Sequence, residues 1–203
     1  MIIKVLGHGR RRYGTLLIDP PWPYRQKLGR GKRAGDTTRG GLPYHTMTLE
    51  DIAALPIQKI AAKDCMLWLW TTNAHLHDAF HMLDVWGFEY KTVRTWFKRK
   101  IGLGFWLRGQ TEQCLLAVRG SPRQLMRGLH GASGHALSTA LIQRAGKQLP
   151  HSKKPPEQYE DIERISPAPR LELFAREEHD GWDAWGDELR PGSMKKVSGL
   201  FSE

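Results

Sequence analysis

Residues 16–24 read LLIDPPWPY, an apolar run that ends in one acid, two prolines and two aromatic residues around a third proline. The apolar run predicts a short buried strand over residues 15–19. The residue before a proline is restricted to extended conformations, and proline has no backbone N–H to give to a sheet. The strand therefore ends at Asp19, and it presents there a carboxylate, rigid carbonyl groups and the flat side chain of Trp22.

Along the rest of the chain, apolar runs of strand length alternate with segments of helical periodicity. The predicted strands are residues 65–71, 88–98, 113–118 and 170–175, with a shorter one at 182–186, and residues 139–145 fit either a strand or a helix. The first predicted helix begins at Thr48, is interrupted at Pro56 and continues in a second turn around Ile57, Ile60 and Ala61. The second begins at Asn73 and ends at Gly87. The third begins at Pro155-Pro156 and ends at Ser166-Pro167. This alternation predicts an α/β fold with a largely parallel central sheet flanked by helices.

The length of 203 residues fits one domain, which we expect over residues 1–190, followed by a flexible tail at 191–203. Two Gly-rich segments lack apolar periodicity. Residues 25–41 are predicted to form a mobile basic loop, and residues 119–137 a second loop. Loops of this length are typical of functional or disordered segments, and a loop can become ordered on binding.

The composition limits the class of protein. A formal net charge of +10 favours an anionic partner, most commonly nucleic acid, although a basic protein without such a partner is the alternative. Cys65 and Cys114 each lie in an apolar run, which predicts buried free thiols rather than a disulfide or a zinc site. The sequence has neither a signal peptide nor a span of 18 apolar residues, so we expect a soluble, cytoplasmic protein without a membrane partner.

The acid and prolines after the first strand suit chemistry on an aromatic amine. Asp19 and the carbonyl of Pro20 or Pro21 can accept both N–H groups of an exocyclic amine, while Trp22 stacks on its ring. Such bonds favour a pyramidal nitrogen whose lone pair is free to attack. The alternative is a proline-rich turn in which Trp22 packs in the core and Asp19 caps a backbone group.

An ordered series of motifs resembles the MT-A70 family of adenine-N6 methyltransferases. The segments are DPPW, LPYHTM, LWLWTTNAHL, WGFEYKTVRTWFK, GFWLRGQTEQCLLAVRG, HSKKPPEQYEDIERI, RLELFAR and GWDAWGDEL. The resemblance runs from about Leu16 to Leu189. It implies a Rossmann-like methyltransferase fold with S-adenosylmethionine (SAM) as cofactor. It also implies a permuted motif order, in which the catalytic DPPW precedes the cofactor-binding segments.

The resemblance also implies roles for individual residues. The catalytic motif is Asp19, Pro20, Pro21 and Trp22. The cofactor-binding residues are Asp19, Lys154, Arg176, Glu178, His179, Asp187 and Glu188. The substrate-binding residues are Tyr44, Trp106 and Glu112, to which the sequence itself adds Tyr24 beside the motif and the loop cations Arg25, Lys27, Arg30, Lys32, Arg33 and Arg39 as phosphate contacts.

Several of these assignments have alternatives. Tyr44 and Trp106 also suit ordinary packing, Glu112 a solvated strand entry, and Lys153 the role of Lys154. The stretch REEHD at 176–180 departs from the neutral residues of the eukaryotic pattern. Asp187 and Glu188 stand where that pattern has amides, so at least one of the two is expected to face solvent.

The expected function is SAM-dependent methylation of adenine N6 in DNA, by in-line attack without a covalent enzyme intermediate. The target base would leave the stack and be received by Trp22, Tyr44 and Trp106. RNA methylation and a non-catalytic nucleic-acid-binding partner subunit are the alternatives. The short segment before DPPW indicates a stand-alone bacterial or phage enzyme, and leaves a monomer, a homodimer or a heteromeric partner open. His77 and His81 lie four residues apart without a third ligand nearby, so we expect no metal.

Overall fold

The computed structural model describes residues 11–23, 46–102, 106–122, 137–142, 153–186 and 188–189. The strands are β1 Tyr13–Ile18, β2 Ala61–Thr72, β3 Glu89–Phe97, β4 Thr111–Arg119, β5 Ala140–Leu141, β6 Arg170–Leu173 and β7 Trp182–Trp185. The helices are α1 Leu49–Ala53, α2 Ile57–Ile60, α3 Leu76–Trp86, which follows a 3₁₀ turn at Asn73–His75, and α4 Glu157–Ile165.

The strands form one sheet in the order β5-β3-β4-β2-β1-β6-β7. All neighbours are parallel except β4, which is antiparallel to both β2 and β3. The prediction of an α/β fold with a mostly parallel sheet is therefore confirmed. Because β4 is reversed, its first residues lie beside the last residues of β2, and Glu112 is paired with Thr72.

Helices cover both faces of the sheet, because successive side chains of a strand point to opposite sides. Leu16 and Ile18 of β1 pack in one core cluster with Leu83 of α3. Leu17, between them, packs in a second cluster with Ile162 of α4. The central strands are therefore buried on both sides, as expected for the middle of an α/β sheet.

The helix ends confirm two predictions and correct one. The Thr48 side chain accepts the backbone N–H of Asp51 at 3.1 Å, so Thr48 is the N-cap of α1. Gly87 ends α3 with a φ of 72°, a left-handed conformation that favours glycine. Asn73 is not a helix cap: its side chain donates to Thr111 at 3.0 Å and accepts from Gln113 at 3.1 Å.

The strand boundaries differ from the predictions mainly at their starts. β1 begins at Tyr13 and ends one residue before Asp19. β2 begins at Ala61, which is paired with Tyr13 four residues before the apolar run that predicted the strand. The ambiguous segment 139–145 contains strand β5, and beyond residue 142 it lies outside the described residues.

Both cysteines are buried free thiols, as predicted. The basic loop 25–41, most of the second loop 119–137 and the tail 191–203 lie outside the described residues. Within the part of the chain that the structure describes, no helix has the length and apolar character needed to cross a membrane.

Candidate active site

Asp19 lies at the end of β1 and is bonded to a lysine that lies three residues before α4. Lys154 Nζ is 2.6 Å from Asp19 Oδ2 and 3.3 Å from Glu112 Oε2. The three side chains are 19%, 11% and 14% exposed for Asp19, Lys154 and Glu112, respectively. One ammonium group thus bridges two carboxylates that come from different strands. The alternative of a solvated Glu112 is wrong.

A fourth charge extends this arrangement. Lys98, directly after β3, places Nζ 2.9 Å from Glu112 Oε1, so that Asp19, Lys154, Glu112 and Lys98 alternate in sign. Burial alone would lower the pKa of Lys154, but the carboxylates of Asp19 and Glu112 outweigh it and raise that pKa. Burial also acts to raise the pKa of Glu112, but Lys154 and Lys98 outweigh it and hold this pKa below its usual range. Lys154 is therefore a cation and Glu112 an anion.

Among the described residues, Asp19 forms an ion pair with one cation, Lys154, whereas Glu112 forms ion pairs with two, Lys154 and Lys98. Burial raises the pKa of Asp19 above its ordinary value, and the nearby Lys154 ammonium opposes this effect. Lys154 also lies over the ring of Trp70, 5.3 Å from its centroid, and Trp70 Nε1 donates to Gln158 at 2.7 Å. The ammonium is thus held by two carboxylates and an aromatic face.

Trp22 fastens the DPPW segment to the sheet. Its Nε1 donates to the carbonyl of Trp70 at 3.0 Å, and its ring stacks on His75 with 5.4 Å between centroids and 13° between planes. His75 Nε2 donates in turn to the carbonyl of Pro23 at 2.6 Å. Trp22 is only 8% exposed, and it offers little surface for stacking a base. Trp22 thus packs in the core, whereas its place in the catalytic motif stays a prediction. Sequence reasoning assigned no role to His75.

The carbonyl groups of the two motif prolines have fixed directions. The backbone N–H of Trp22 donates to the Pro20 carbonyl at 2.8 Å, and that of Met47 donates to the Pro21 carbonyl at 2.9 Å. A carbonyl oxygen has two lone pairs, so each of these oxygens can accept a second hydrogen bond. The motif therefore offers rigid acceptors next to the Asp19 carboxylate.

An open cleft lies beside Asp19. It is lined by Asp19, Lys153, Lys154, Gln158, Tyr159, Glu172, Phe174, Arg176 and Glu177. The Tyr159 hydroxyl donates to both carboxylate oxygens of Glu172, at 3.1 and 3.0 Å. Burial raises the pKa of Glu172 to about 8. Sequence reasoning did not assign Glu172, although a single acid between Leu171 and Leu173 in an apolar strand was a usable signal.

The predicted cofactor residues after β6 have different surroundings. Arg176 lines the cleft and is paired with Glu188 at 3.1 Å. The Glu188 side chain is 49% exposed. His179 stacks on Tyr159 with 3.5 Å between ring centroids, and burial lowers its pKa. Glu178 is exposed and does not line the cleft.

The two lysines before α4 are now distinguished. Lys153 pairs with Glu177 at 2.7 Å at the rim of the cleft, where both side chains are more than a third exposed. Of these two lysines, it is Lys154 that donates a hydrogen bond to Asp19. The geometry thus favours Lys154 over Lys153 for a role beside the reacting group, as the motif indicated.

Trp106 does not line the cleft. It belongs to the connection between β3 and β4, which we call the hairpin arm (residues 98–110). It is 99% exposed, so the alternative of a core tryptophan is wrong. Backbone bonds join the two sides of the arm, from Lys98 to Gln110 at 2.8 Å and from Gly102 to Gly109 at 2.7 Å. The arm sequence contains four cations, Lys98, Arg99, Lys100 and Arg108, and no acid.

The other predicted residues are not brought to this site by the described structure. Tyr24, Tyr44, Asp187 and the cations Arg25, Lys27, Arg30, Lys32, Arg33 and Arg39 lie outside the described residues. His77 and His81 are both exposed on α3. Within the described ranges, no group of three or more His, Cys, Asp and Glu side chains is arranged to hold a metal ion.

The chain resembles known proteins over most of its length. Residues 13–188 match the family model MT-A70. The chain is 32% identical over 196 residues to the type II methyltransferase M.MunI of Mycoplasma sp, covering 89% of this chain and 79% of that protein. It is 28% identical over 198 residues to the N(6)-adenosine-methyltransferase catalytic subunit METTL3 of Homo sapiens, covering 92% of this chain and 29% of that protein. An N(6)-adenosine-methyltransferase MT-A70-like protein of Arabidopsis thaliana is also 28% identical, over 188 residues, and the chain spans 24% of its length.

Proposed function

The chain belongs to the MT-A70 family, and from that premise we propose that it is a SAM-dependent methyltransferase that modifies N6 of adenine in DNA. The observation that carries the proposal is the carboxylate of Asp19 at the end of β1, bonded to Lys154 and open to a cleft. DNA is favoured because the type II methyltransferases, the class in which M.MunI is named, act on DNA, and because the chain spans 79% of that relative.

The residues of the cleft fit the cofactor. SAM supplies a methyl group on a positively charged sulfur and carries an ammonium and a carboxylate group. The cleft offers carboxylates from Asp19 and Glu172 and cations from Lys153 and Arg176. Arg176, His179 and Glu188, which follow β6 and β7, suit the nucleoside end, with Asp187 and the exposed Glu178 as further candidates.

The reacting end is prepared by the DPPW segment. Asp19 accepts one N–H of the target amine, and the Pro20 or Pro21 carbonyl accepts the other, so that the nitrogen lone pair is directed at the methyl group. Lys154 favours the ionised form of Asp19 against the effect of burial. Trp22 acts by fixing this segment through Trp70 and His75, and does not itself stack on the base.

The nucleic acid is held by groups outside the cleft. A base in a duplex must leave the stack before its N6 can reach Asp19. Tyr24, Tyr44 and Trp106 are the aromatic residues proposed to stack on the extruded base or to fill its place in the duplex. The cations of the 25–41 loop and of the hairpin arm are proposed to contact phosphates, and Glu112 to position Lys154 through their ion pair.

The test is a methylation assay that identifies the product. The purified protein is incubated with methyl-labelled SAM and matched single-stranded DNA, duplex DNA and RNA, and the nucleosides are analysed by mass spectrometry. We expect N6-methyladenine in DNA, and none with Asp19→Ala. Asp84→Ala, which changes an exposed acid on α3, is the matched control and should retain activity.

RNA is the second candidate substrate, because the eukaryotic relatives are named as adenosine methyltransferases. Product in RNA alone would replace DNA by RNA in the proposal. A non-catalytic partner subunit is the third reading, and the intact Asp19–Lys154 pair argues against it. Absence of both product and SAM binding would overturn the enzyme proposal and favour that reading.

A further inference from the structure

His75 is buried between two hydrogen-bond acceptors, one on each side of its ring. Its Nδ1 lies 2.7 Å from Asp78 Oδ2, and its Nε2 lies 2.6 Å from the carbonyl oxygen of Pro23. The side chains of His75 and Asp78 are 4% and 12% exposed, respectively. A carbonyl oxygen and an ionised carboxylate can accept a hydrogen bond but have no hydrogen to donate. Both ring nitrogens therefore face groups that need a donor.

A neutral imidazole does not meet this requirement. It carries a hydrogen on one ring nitrogen, and the lone pair of the other nitrogen would point at an oxygen lone pair. The imidazolium has a hydrogen on both nitrogens, so it matches both acceptors. Contacts of 2.6 and 2.7 Å are as short as those of charge-assisted hydrogen bonds. The geometry thus indicates that the His75 ring is a cation.

A buried cation needs compensation for the water that it loses, and Asp78 and Trp22 provide it for His75. The Asp78 carboxylate, three residues further along the chain, supplies the opposite charge. The rings of Trp22 and His75 are stacked, with 5.4 Å between centroids and 13° between planes. Aromatic faces attract cations at this distance. The cation thus holds the Trp22 ring as well as the Pro23 carbonyl.

These bonds tie the DPPW segment to the end of β2. The carbonyl of Trp70 on β2 accepts from Trp22 Nε1 at 3.0 Å. His75 lies on the 3₁₀ turn that follows β2, and it holds the Pro23 carbonyl directly after the motif. The motif begins at Asp19, the acid proposed to accept the target amine. A shift at Pro23 would therefore displace the proline carbonyls that lie between Asp19 and Trp22.

We propose that His75 is a positioning residue for methyl transfer: as an imidazolium paired with Asp78, it fixes the DPPW segment through the Pro23 carbonyl. The inference rests on the proposed function. In this role His75 touches neither substrate nor cofactor, and it exchanges no proton during the reaction. A ring with one hydrogen keeps it toward the Asp78 carboxylate, because an unpaired buried charge costs more than an unpaired carbonyl. The Pro23 carbonyl then faces a lone pair and is released.

The first test observes the ring hydrogens directly. Nuclear magnetic resonance of the full chain with isotope-labelled histidine detects which ring nitrogens carry a hydrogen, and the signals lost in His75→Gln are those of His75. At pH 7, we expect a hydrogen on both nitrogens of the wild-type ring. Asp78→Asn keeps an acceptor of the same shape but removes the charge, so one of these hydrogens should be lost. A wild-type His75 ring with a single hydrogen would overturn the inference.

The second test separates the chemical step from cofactor binding. We expect His75→Gln and Asp78→Asn to lower kcat about 10- to 100-fold, in the range of a small misplacement of the reacting groups. His75 and Asp78 do not line the cleft. Both variants should therefore bind SAM within about twofold of the wild-type affinity in calorimetry.

Exposed residues of the same helix provide matched controls. His77→Gln and Asp84→Asn make the same chemical changes on the surface of α3, and they should leave kcat and SAM affinity unchanged. Thermal unfolding of each variant establishes that it is folded. If a folded His75→Gln retains kcat, or loses SAM affinity together with kcat, the inference alone is wrong. A wild type that forms no N6-methyladenine and binds no SAM would overturn the proposed function, and with it the role of His75.

Discussion

Lys153 and Lys154 are adjacent in sequence, yet their surroundings differ. Lys154 is buried between two carboxylates, whereas Lys153 forms a rim pair with Glu177. Removal of one partner from a buried ion pair leaves an uncompensated charge, while an exposed pair is screened by solvent. Substitution of each lysine in turn thus compares the loss of a buried cation at the site with the loss of a cation at the surface.

We expect Lys154→Met to lower the free energy of unfolding by about 3 kcal/mol and to abolish methyl transfer, because Asp19 and Glu112 lose their shared cation. Lys153→Met should cost less than about 1 kcal/mol. Denaturant unfolding and product analysis measure both effects. Equal losses in the two variants would contradict the assignment of Lys154 to the site.

The raised pKa of Glu172 leads us to expect that the stability of the protein falls as the pH rises. Its pKa is about 8 in the folded protein against an ordinary value of 4.5, so the folded state binds the proton more tightly. The stabilisation is complete below pH 4.5 and is lost as pH rises through 8. Without cofactor, the wild type should lose on the order of 4 kcal/mol more than Glu172→Gln between pH 4.5 and 9. Thermal unfolding across this range measures the difference, and parallel curves would refute it.

Individual site residues differed in how far the sequence could predict them. Asp19 and Lys154 stand in dense local motifs, and the structure brings them into contact. His75 and Glu172 were missed because their roles depend on partners far along the chain, Pro23 for one and Tyr159 for the other. A local pattern cannot indicate which face of a neighbouring element such a side chain meets.

At the scale of elements, the reversed strand β4 is what completes the site. A reversed strand presents its first residues at the edge where parallel strands end, so Glu112 reaches Lys154. The sequence predicted the strand but not its direction, which depends on long-range pairing. The same applies to Asn73, whose side chain bonds to Thr111 and Gln113 instead of capping α3.

We expect a substitution in the hairpin arm to weaken DNA binding without changing the stability of the protein. Trp106→Ala should leave the melting temperature unchanged, because the side chain is 99% exposed in the free protein. It should weaken DNA binding about 5- to 100-fold, in the range of a lost base–aromatic contact. Fluorescence anisotropy measures the affinity. Ile142→Ala, which removes a 74% exposed side chain next to β5, is the control. If both variants bind as tightly as the wild type, the arm does not contact DNA.

For the whole molecule, the charge of +10 bears on association with the substrate. Each phosphate that a Lys or Arg neutralises releases counterions, so affinity falls with salt. We expect the logarithm of the DNA affinity to fall with the logarithm of salt concentration with a slope of about −4 or steeper, equivalent to roughly five phosphate contacts. A slope near zero would show that the basic residues do not hold the backbone.

At its base, where it leaves the sheet, the hairpin arm is fixed by bonds that do not involve the rest of the arm. The sequence of the arm and the geometry of the active site are therefore separate requirements on the chain. The Lys98–Glu112 ion pair and the Lys98–Gln110 backbone bond fix the points where the arm leaves the sheet. Residues beyond that base can change in length and composition without displacing Asp19, since surface connections tolerate insertions far better than strands do. We therefore expect the arm to tolerate replacement by another sequence while the active site keeps its geometry. Grafting a different arm onto the same base offers a route to new sequence preferences with unchanged chemistry.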